Sequence, residues 1–431
     1  MRKFVVGAGA TGLAAGFACG CPVFESDTVP GGMSRSYLLK PGKQRRWDLG
    51  PPDPSGYRFD HGGGHWIFGL DAPLKECLSH HGELDAYQRI SSVFFSHRGT
   101  FVPFPIQNHL HCLEPAVARQ CLEEILHPPQ RECSTQAEWL EANFGPTLNA
   151  LFFAPFHERY TAGLWTRLAP QDAYKSPIDR AAVIAGAAGN PRTAGYNTVF
   201  HYPRNGLSRM WADLARRVDV RYDHRLVRID PVDKVLHFAD GTVDPFDRLL
   251  STLPLDQTLT LASLQPGSAP DPYTSVLVLN VGGPKGRSCP PDHWVYVPDS
   301  RCGLHRVGIY SNVNRSYLPQ ADRDSGRTAS FYVERAFPAG KRLDDAATSQ
   351  YATEAIRELQ DWGFLQESEV QDCHWVEVAY TWTWPNSTWK QEALALLERH
   401  DIQAIGRYGR WHFQGIADSL REGILWGTAL R

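Results

Sequence analysis

A chain of 431 residues is long enough for two or three domains that share a substantial core. Its formal charge of −3 and isoelectric point near 6.6 offer no field for nucleic acid or an anionic membrane, and no basic stripe runs along it. No apolar run approaches the length of a bilayer span, and the first residues read as a strand rather than a signal peptide. Nine cysteines, odd in number, irregularly spaced and without a CxxC pair, are expected as reduced thiols of a cytoplasmic protein, with Cys19 and Cys21 packed in the first helix and its turn.

The chain opens on Phe4-Val5-Val6, then Gly7-x-Gly9-x-Thr11-Gly12, a run of small residues, and Pro22-Val23-Phe24-Glu25. Strand, glycine turn, helix, second strand and terminal acid in that order predict a βαβ unit that binds a dinucleotide. Gly7 permits the tight turn, Gly9 lets the backbone approach a pyrophosphate, and Gly12 lets the helix pack close to the strand. The helix N-terminus then presents unsatisfied N–H groups to the phosphates. Glu25 stands where a carboxylate accepts hydrogen bonds from a ribose diol. A second glycine turn, Pro30-Gly31-Gly32-Met33-Ser34, follows at once, where a continuing NAD domain would run into another crossover. That arrangement resembles flavoproteins of the amine-oxidase type and implies FAD.

Further along, Asp60-His61-Gly62-Gly63-Gly64-His65 removes side chains from three successive positions, so the backbone can lie against a flat ring with His65 beside it. His61 and His65 have HxxxH spacing, but the intervening glycines will not hold a helix and no acidic third ligand follows, so no metal is expected. Residues 109 to 144 show helical periodicity, and Val218 to Pro254 alternates as strands around an Asp240-Gly241 hairpin turn. Strands are expected at 274 to 282, 293 to 297, 305 to 311 and 328 to 336. Gly186 to Gly189 reads as a packed helix end. The expected fold is α/β, a Rossmann-type FAD-binding domain with a helical insertion and a second antiparallel sheet domain. Its pieces are a discontinuous FAD domain of residues 1–68, 196–260 and 386–431, a helical substrate domain of 69–195, and a sheet domain of 261–385. No Gly-x-Ser-x-Gly elbow, Walker motif or Cys/His nucleophile signature occurs.

Four separated motifs in order carry a more specific resemblance: Gly63-Gly64-His65; Arg89-Ile90-Ser91 with Phe101 to Asn108; Phe200-His201-Tyr202-Pro203-Arg204-Asn205-Gly206; and Gly406-Arg407-Tyr408-Gly409-Arg410-Trp411. Together they resemble the flavin-dependent UDP-galactopyranose mutases, the eukaryotic-type branch in particular, from end to end. The resemblance implies an isomerase that converts pyranose to furanose with no net redox change. Reduced FAD would act through N5 as nucleophile on the anomeric carbon, with NAD(P)H or another reductant as electron donor. It implies Arg180 and Arg306 as cations for the leaving diphosphate, His65 and Gly64 beside the reactive flavin, and Gly63 and Arg407 against the cofactor. Val227 would line the adenine pocket through its backbone. Phe104, Ile106, Gln107, Asn197, Tyr296, Trp384 and Phe413 would meet the substrate, with Trp382 nearby.

Val313, Trp384 and Phe413 stand where the family places tyrosines on the diphosphate. Losing three such donors would cost about 1 to 3 kcal/mol each if the acceptors were left buried. The chain therefore reads as a divergent member with an altered substrate, a nucleotide-linked sugar or a related glycosyl compound. The alternatives are an FAD-dependent oxidoreductase of the amine-oxidase type and a flavin-binding protein without chemistry. No nucleic-acid or membrane partner is expected, and a homo-oligomer is compatible with these motifs.

Overall fold

The computed structural model describes residues 1–49, 54–171, 178–191 and 197–431. The N-terminal strand Lys3–Val6 sits at the centre of a five-stranded sheet, flanked by Val23–Phe24 and then Val220–Arg221 on one side and by Arg248–Ser251 and Ile402–Ala404 on the other. All four pairings are parallel, with Phe4 opposite Leu249 and Val5 opposite Val23. Continuous apolar runs suit such strands, because helices cover both faces of a parallel sheet. The helix Ala10–Cys19 leaves the carboxyl end of the central strand, and Ile416–Leu430 lies across it. Gly423 and Gly427 make that crossing close: a Cβ on either would fall 2.3 or 2.4 Å from the carbonyl oxygens of Thr11 and Ala15.

A seven-stranded sheet forms the second layer, in the order Val370–Thr381, Tyr273–Pro284, Thr328–Pro338, Arg306–Ile309, Trp294–Tyr296, Ser91–Phe95 and Thr100–Pro103. Every pairing is antiparallel except Trp294–Tyr296 on Ser91–Phe95. The mixed α/β architecture, with its antiparallel second sheet, has the fold class expected from the sequence. One division differs: Ser91–Phe95 and Thr100–Pro103, placed within the helical segment 69–195, complete the large sheet. Ser91–Phe95 is buried along its whole length, and the more exposed Thr100–Pro103 pairs with it to form the sheet edge. The helices Pro115–Leu126, Gln136–Leu148, Ala154–Tyr160 and Arg180–Ala187 pack outside these strands around Phe144, Phe152 and Phe153. The Asp240-Gly241 turn forms as read, with Gly241 at φ +85° between Val235–Phe238 and Val243–Pro245. All nine cysteines are free thiols. No helix among the described residues is long and apolar enough to cross a membrane.

Candidate active site

A single cavity of about 970 Å³ runs from the carboxyl end of the central parallel strand, past the triple-glycine turn, to the face of the large sheet beneath the helices. At its first end, Gly7 has φ +93°, and a Cβ on Gly12 would lie 1.8 Å from the Gly7 carbonyl oxygen. Only a hydrogen at both positions lets helix and strand meet there. Gly9 faces open space, with nothing within 4 Å of where its Cβ would stand. Glu25 is held by the backbone: its carboxylate accepts from Ala8 N at 2.7 Å and Asp27 N at 2.9 Å while it lines the cavity. The second glycine turn folds back on the first, Gly31 N donating to Ala8 O at 2.8 Å, and Gly31, Gly32, Met33 and Ser34 all reach the wall. Next to them lie Arg225 and Leu226. Val227, expected to line the adenine pocket through its backbone, is not itself on the cavity wall: its side chain is 47% exposed, and Arg225 and Leu226 line the cavity at this point.

The middle of the cavity is the turn Gly62-Gly63-Gly64-His65. A Cβ on Gly62 would meet His65 Cε1 at 2.7 Å and Met33 Cε at 2.9 Å, one on Gly63 (φ +86°) would meet Glu334 Oε1 at 2.8 Å, and one on Gly64 would meet the Tyr332 hydroxyl at 2.6 Å. The turn is therefore wedged between Met33 and the strand Thr328–Pro338, and Gly64 and His65 face the cavity. His65 Nδ1 stands 2.9 Å from Gly63 O. A carbonyl only accepts, so Nδ1 carries the hydrogen and Nε2 keeps its lone pair. Burial holds the ring neutral, with its pKa pushed down to about 4.

At the far end the strand Arg306–Ile309 points Arg306 into the cavity opposite Glu334. Nε donates to Glu334 Oε2 at 2.8 Å and Nη2 to Oε1 at 2.6 Å, a bidentate pair, while Nη2 also lies 3.4 Å from the Tyr380 hydroxyl. Burial pushes the Glu334 carboxyl up, but the Arg306 guanidinium is foremost in outweighing it, and the pKa is held at about 2. Arg407 donates to the carbonyls of Ala379 and Gln414 and lies 4.6 Å over the Phe413 ring. Arg89, Phe104, Asn197, Tyr296 and Phe413 also line the wall.

Some expected residues lie elsewhere. Arg180 begins the helix Arg180–Ala187 and is exposed, off the cavity wall. That helix buries Ala182, Val183 and Gly186 against Ile106–Asn108, where a Cβ on Gly186 would strike Asn108 O at 2.0 Å, so its first residue turns outward. Ser176 and Pro177 of the same motif, and Gly195 and Tyr196 before Asn197, lie outside the described residues. Ile106 and Gln107 are fully buried beneath this helix rather than on the wall. Trp384 lies beyond the strand end, its Nε1 donating to Pro270 O, whereas Trp382 does reach the cavity. Val313 is a core residue beside Tyr310 and Tyr317. Phenols reach the cavity from other positions instead: Tyr160, Tyr380 and Tyr408 line it alongside the expected Tyr296. Tyr380 was legible from its two-residue spacing to Trp382 at the end of a strand, and Tyr160 as the i+4 neighbour of Phe156 on a helix. Glu334 and His305 were missed altogether. A Glu334-Arg335 pair in a strand otherwise free of charge was the available signal.

A parallel sheet with a glycine cradle at its switch point, an acid fixed at the end of the second strand and a second glycine turn define a dinucleotide-binding flavoprotein. Residues 13–279 match the model of the flavin containing amine oxidoreductases, and the chain belongs to that family. FAD is its cofactor. Gly7, Gly9, Gly12, Glu25, Gly31 and Gly32 fit it, since the cradle collapses if any Cβ enters the Gly7–Gly12 contact. Among solved structures, the chain is similar to a reduced UDP-galactopyranose mutase at 20% identity and TM-score 0.84, covering 98% of this chain and 92% of that one. It is similar also to a proposed protoporphyrinogen oxidase from Exiguobacterium sp. 255-15 (14% identity, TM-score 0.68, covering 100% and 98%). A third is a CLA-producing fatty acid isomerase from P. acnes (14% identity, TM-score 0.60, covering 99% and 98%). At these identities the likeness establishes the fold.

Proposed function

We propose that the protein is a flavin-dependent pyranose/furanose mutase acting on a nucleotide-linked or otherwise activated sugar, a divergent relative of UDP-galactopyranose mutase. The observation that carries this reading is Arg306: a guanidinium directed into the cavity beside the Tyr380 hydroxyl, across the glycine turn from the FAD cradle. Such a group serves a departing diphosphate better than it serves a simple amine. Bound FAD, reduced by NAD(P)H or another reductant, supplies N5 as a nucleophile toward the anomeric carbon.

The chain's own residues do the rest. Arg306 and the phenols of Tyr160, Tyr296 and Tyr380 bind the diphosphate as it separates from the sugar and keep it for return. His65 offers a neutral Nε2 as a hydrogen-bond acceptor at the glycine turn. Phe104, Phe156 and Trp382 exclude water from a site in which hydrolysis would waste the intermediate. The changed tyrosine positions support a substrate other than UDP-galactose.

The test mixes the reduced holoenzyme with UDP-, dTDP-, GDP- and CDP-linked sugars and analyses products. Furanose formed without net flavin oxidation supports the proposal. Strict one-to-one consumption of reductant overturns it. The family itself favours a second reading, an FAD-dependent oxidoreductase of the amine-oxidase type, which would instead bleach oxidised flavin on substrate addition and release peroxide.

A further inference from the structure

His305 is 1% exposed, lines the cavity, and finds no hydrogen bond for either ring nitrogen among the described residues. Its backbone N–H donates to Glu334 O at 2.9 Å, which fixes the ring edge, and Nε2 stops 3.3 Å from Glu334 Oε2 without the alignment of a bond. Buried polar atoms of this kind call for a partner. The neighbouring chemistry suggests which. Glu334 is 2% exposed, and Arg306 takes both of its carboxylate oxygens. An anion that engages Arg306 therefore competes with a buried carboxylate for the same donors, and a buried carboxylate without a counter-charge is costly.

We infer that His305 is the proton-holding partner of Glu334: when an anionic group of the substrate takes the Arg306 guanidinium, His305 gains one proton from solvent and covers the carboxylate, releasing it when the anion leaves. The inference rests on the preceding reading only in assigning that anion to Arg306. The balance is one proton in on binding and one out on release, with no bond made or broken in the protein. Before binding, burial holds the ring neutral, with Glu334 and Arg306 acting on it in opposite senses. The other groups facing the pair are Tyr160 from the helix Ala154–Tyr160, Tyr332 two residues before Glu334 on the same strand, Tyr380 from the strand Val370–Thr381, and His65 from the glycine turn. None of these is a cation at neutral pH that would replace Arg306. Binding that takes up a proton weakens as pH rises, by up to about tenfold per pH unit between the free and bound titration points of the ring.

Two measurements decide the matter. In the holoenzyme labelled at histidine, with the His305 resonance assigned by its loss in His305→Asn, the ring is followed from about pH 5 to about pH 9. It should stay neutral over most of that range in the wild type. In Arg306→Met and Arg306→Gln it should titrate at least about one pH unit higher, a tenfold change in proton affinity. Two variants guard against a single misfolded one, with the flavin spectrum reporting integrity. A ring that remains equally neutral in both variants overturns the inference. Calorimetry of UDP-glucose binding in buffers of different ionisation enthalpy should then show close to one proton taken up, and none in His305→Asn. UDP-glucose is chosen because its diphosphate does not titrate near neutrality. Binding without proton uptake overturns the inference. Failure to bind any nucleotide sugar counts against the mutase reading alone, since the ligand-free titration still decides the role of His305.

Discussion

Replacing Glu334 by glutamine leaves the shape of the Arg306 pair and removes its charge. In the wild type the surroundings lower the carboxyl pKa from 4.5 to about 2, the Arg306 guanidinium foremost in outweighing the opposing effect of burial. That difference corresponds to about 3 kcal/mol in favour of the charged native form, and breaking a buried pair by removing one partner costs about 3 to 5 kcal/mol. Because the native pKa is depressed, the contribution is present in full above the ordinary carboxylate range and is lost as pH falls toward about 2. Glu334→Gln should therefore lower the unfolding midpoint near neutrality by about 6 °C or more, taking each kcal/mol as worth roughly 2 °C. Its deficit should shrink below about pH 4. The double variant Arg306→Met/Glu334→Leu should recover much of the loss, since an apolar pair leaves no buried charge unmatched. Thermal melts of the holoenzyme across pH measure all of this. A midpoint within about 1 °C of wild type, or a double variant as poor as the sum of its singles, would refute the view that this pair is a buried, mutually dependent charge couple.

Gly12→Ala should release FAD, because its methyl would stand 1.8 Å from the Gly7 carbonyl oxygen and force the helix off the strand; the flavin-to-protein absorbance ratio of the purified protein reads this directly, and full flavin content would contradict it. Burial raises the Asp60 carboxyl to about 7 against hydrogen bonds from Tyr202 and Tyr317 at 2.8 Å each, which favour its charged form. A raised native pKa means the folded state binds the extra proton, so the wild type should lose stability as pH rises from about 4 to about 7, by up to about 4 kcal/mol. Asp60→Asn should flatten that slope in melts compared across pH, and an unchanged slope would assign the dependence to another group.

The cofactor end of this protein is written almost wholly in local sequence. Gly7, Gly9, Gly12 and Glu25 lie in one βαβ unit, where a tight turn, a close helix and a strand-end acid each demand a particular residue type at a particular spacing, so neighbours in the chain become neighbours in the cradle. The Gly62-Gly63-Gly64-His65 turn was legible for the same reason. The substrate end was not, because it is assembled from strands and helices far apart in the chain, and a phenol at a given point in space can come from any of them. Val313 and Trp384 read as lost hydroxyls, yet Tyr160 and Tyr380 reach the wall from other elements. Arg180 looked as eligible as Arg306 until the packing of Gly186 on Asn108 turned its helix outward. The sequence by itself determined that a flavin dinucleotide is held, since backbone geometry in a short segment decides it. Only the tertiary structure decided that Arg306 faces the cavity already paired to Glu334 with His305 alongside, since strand register across the large sheet brings those three together.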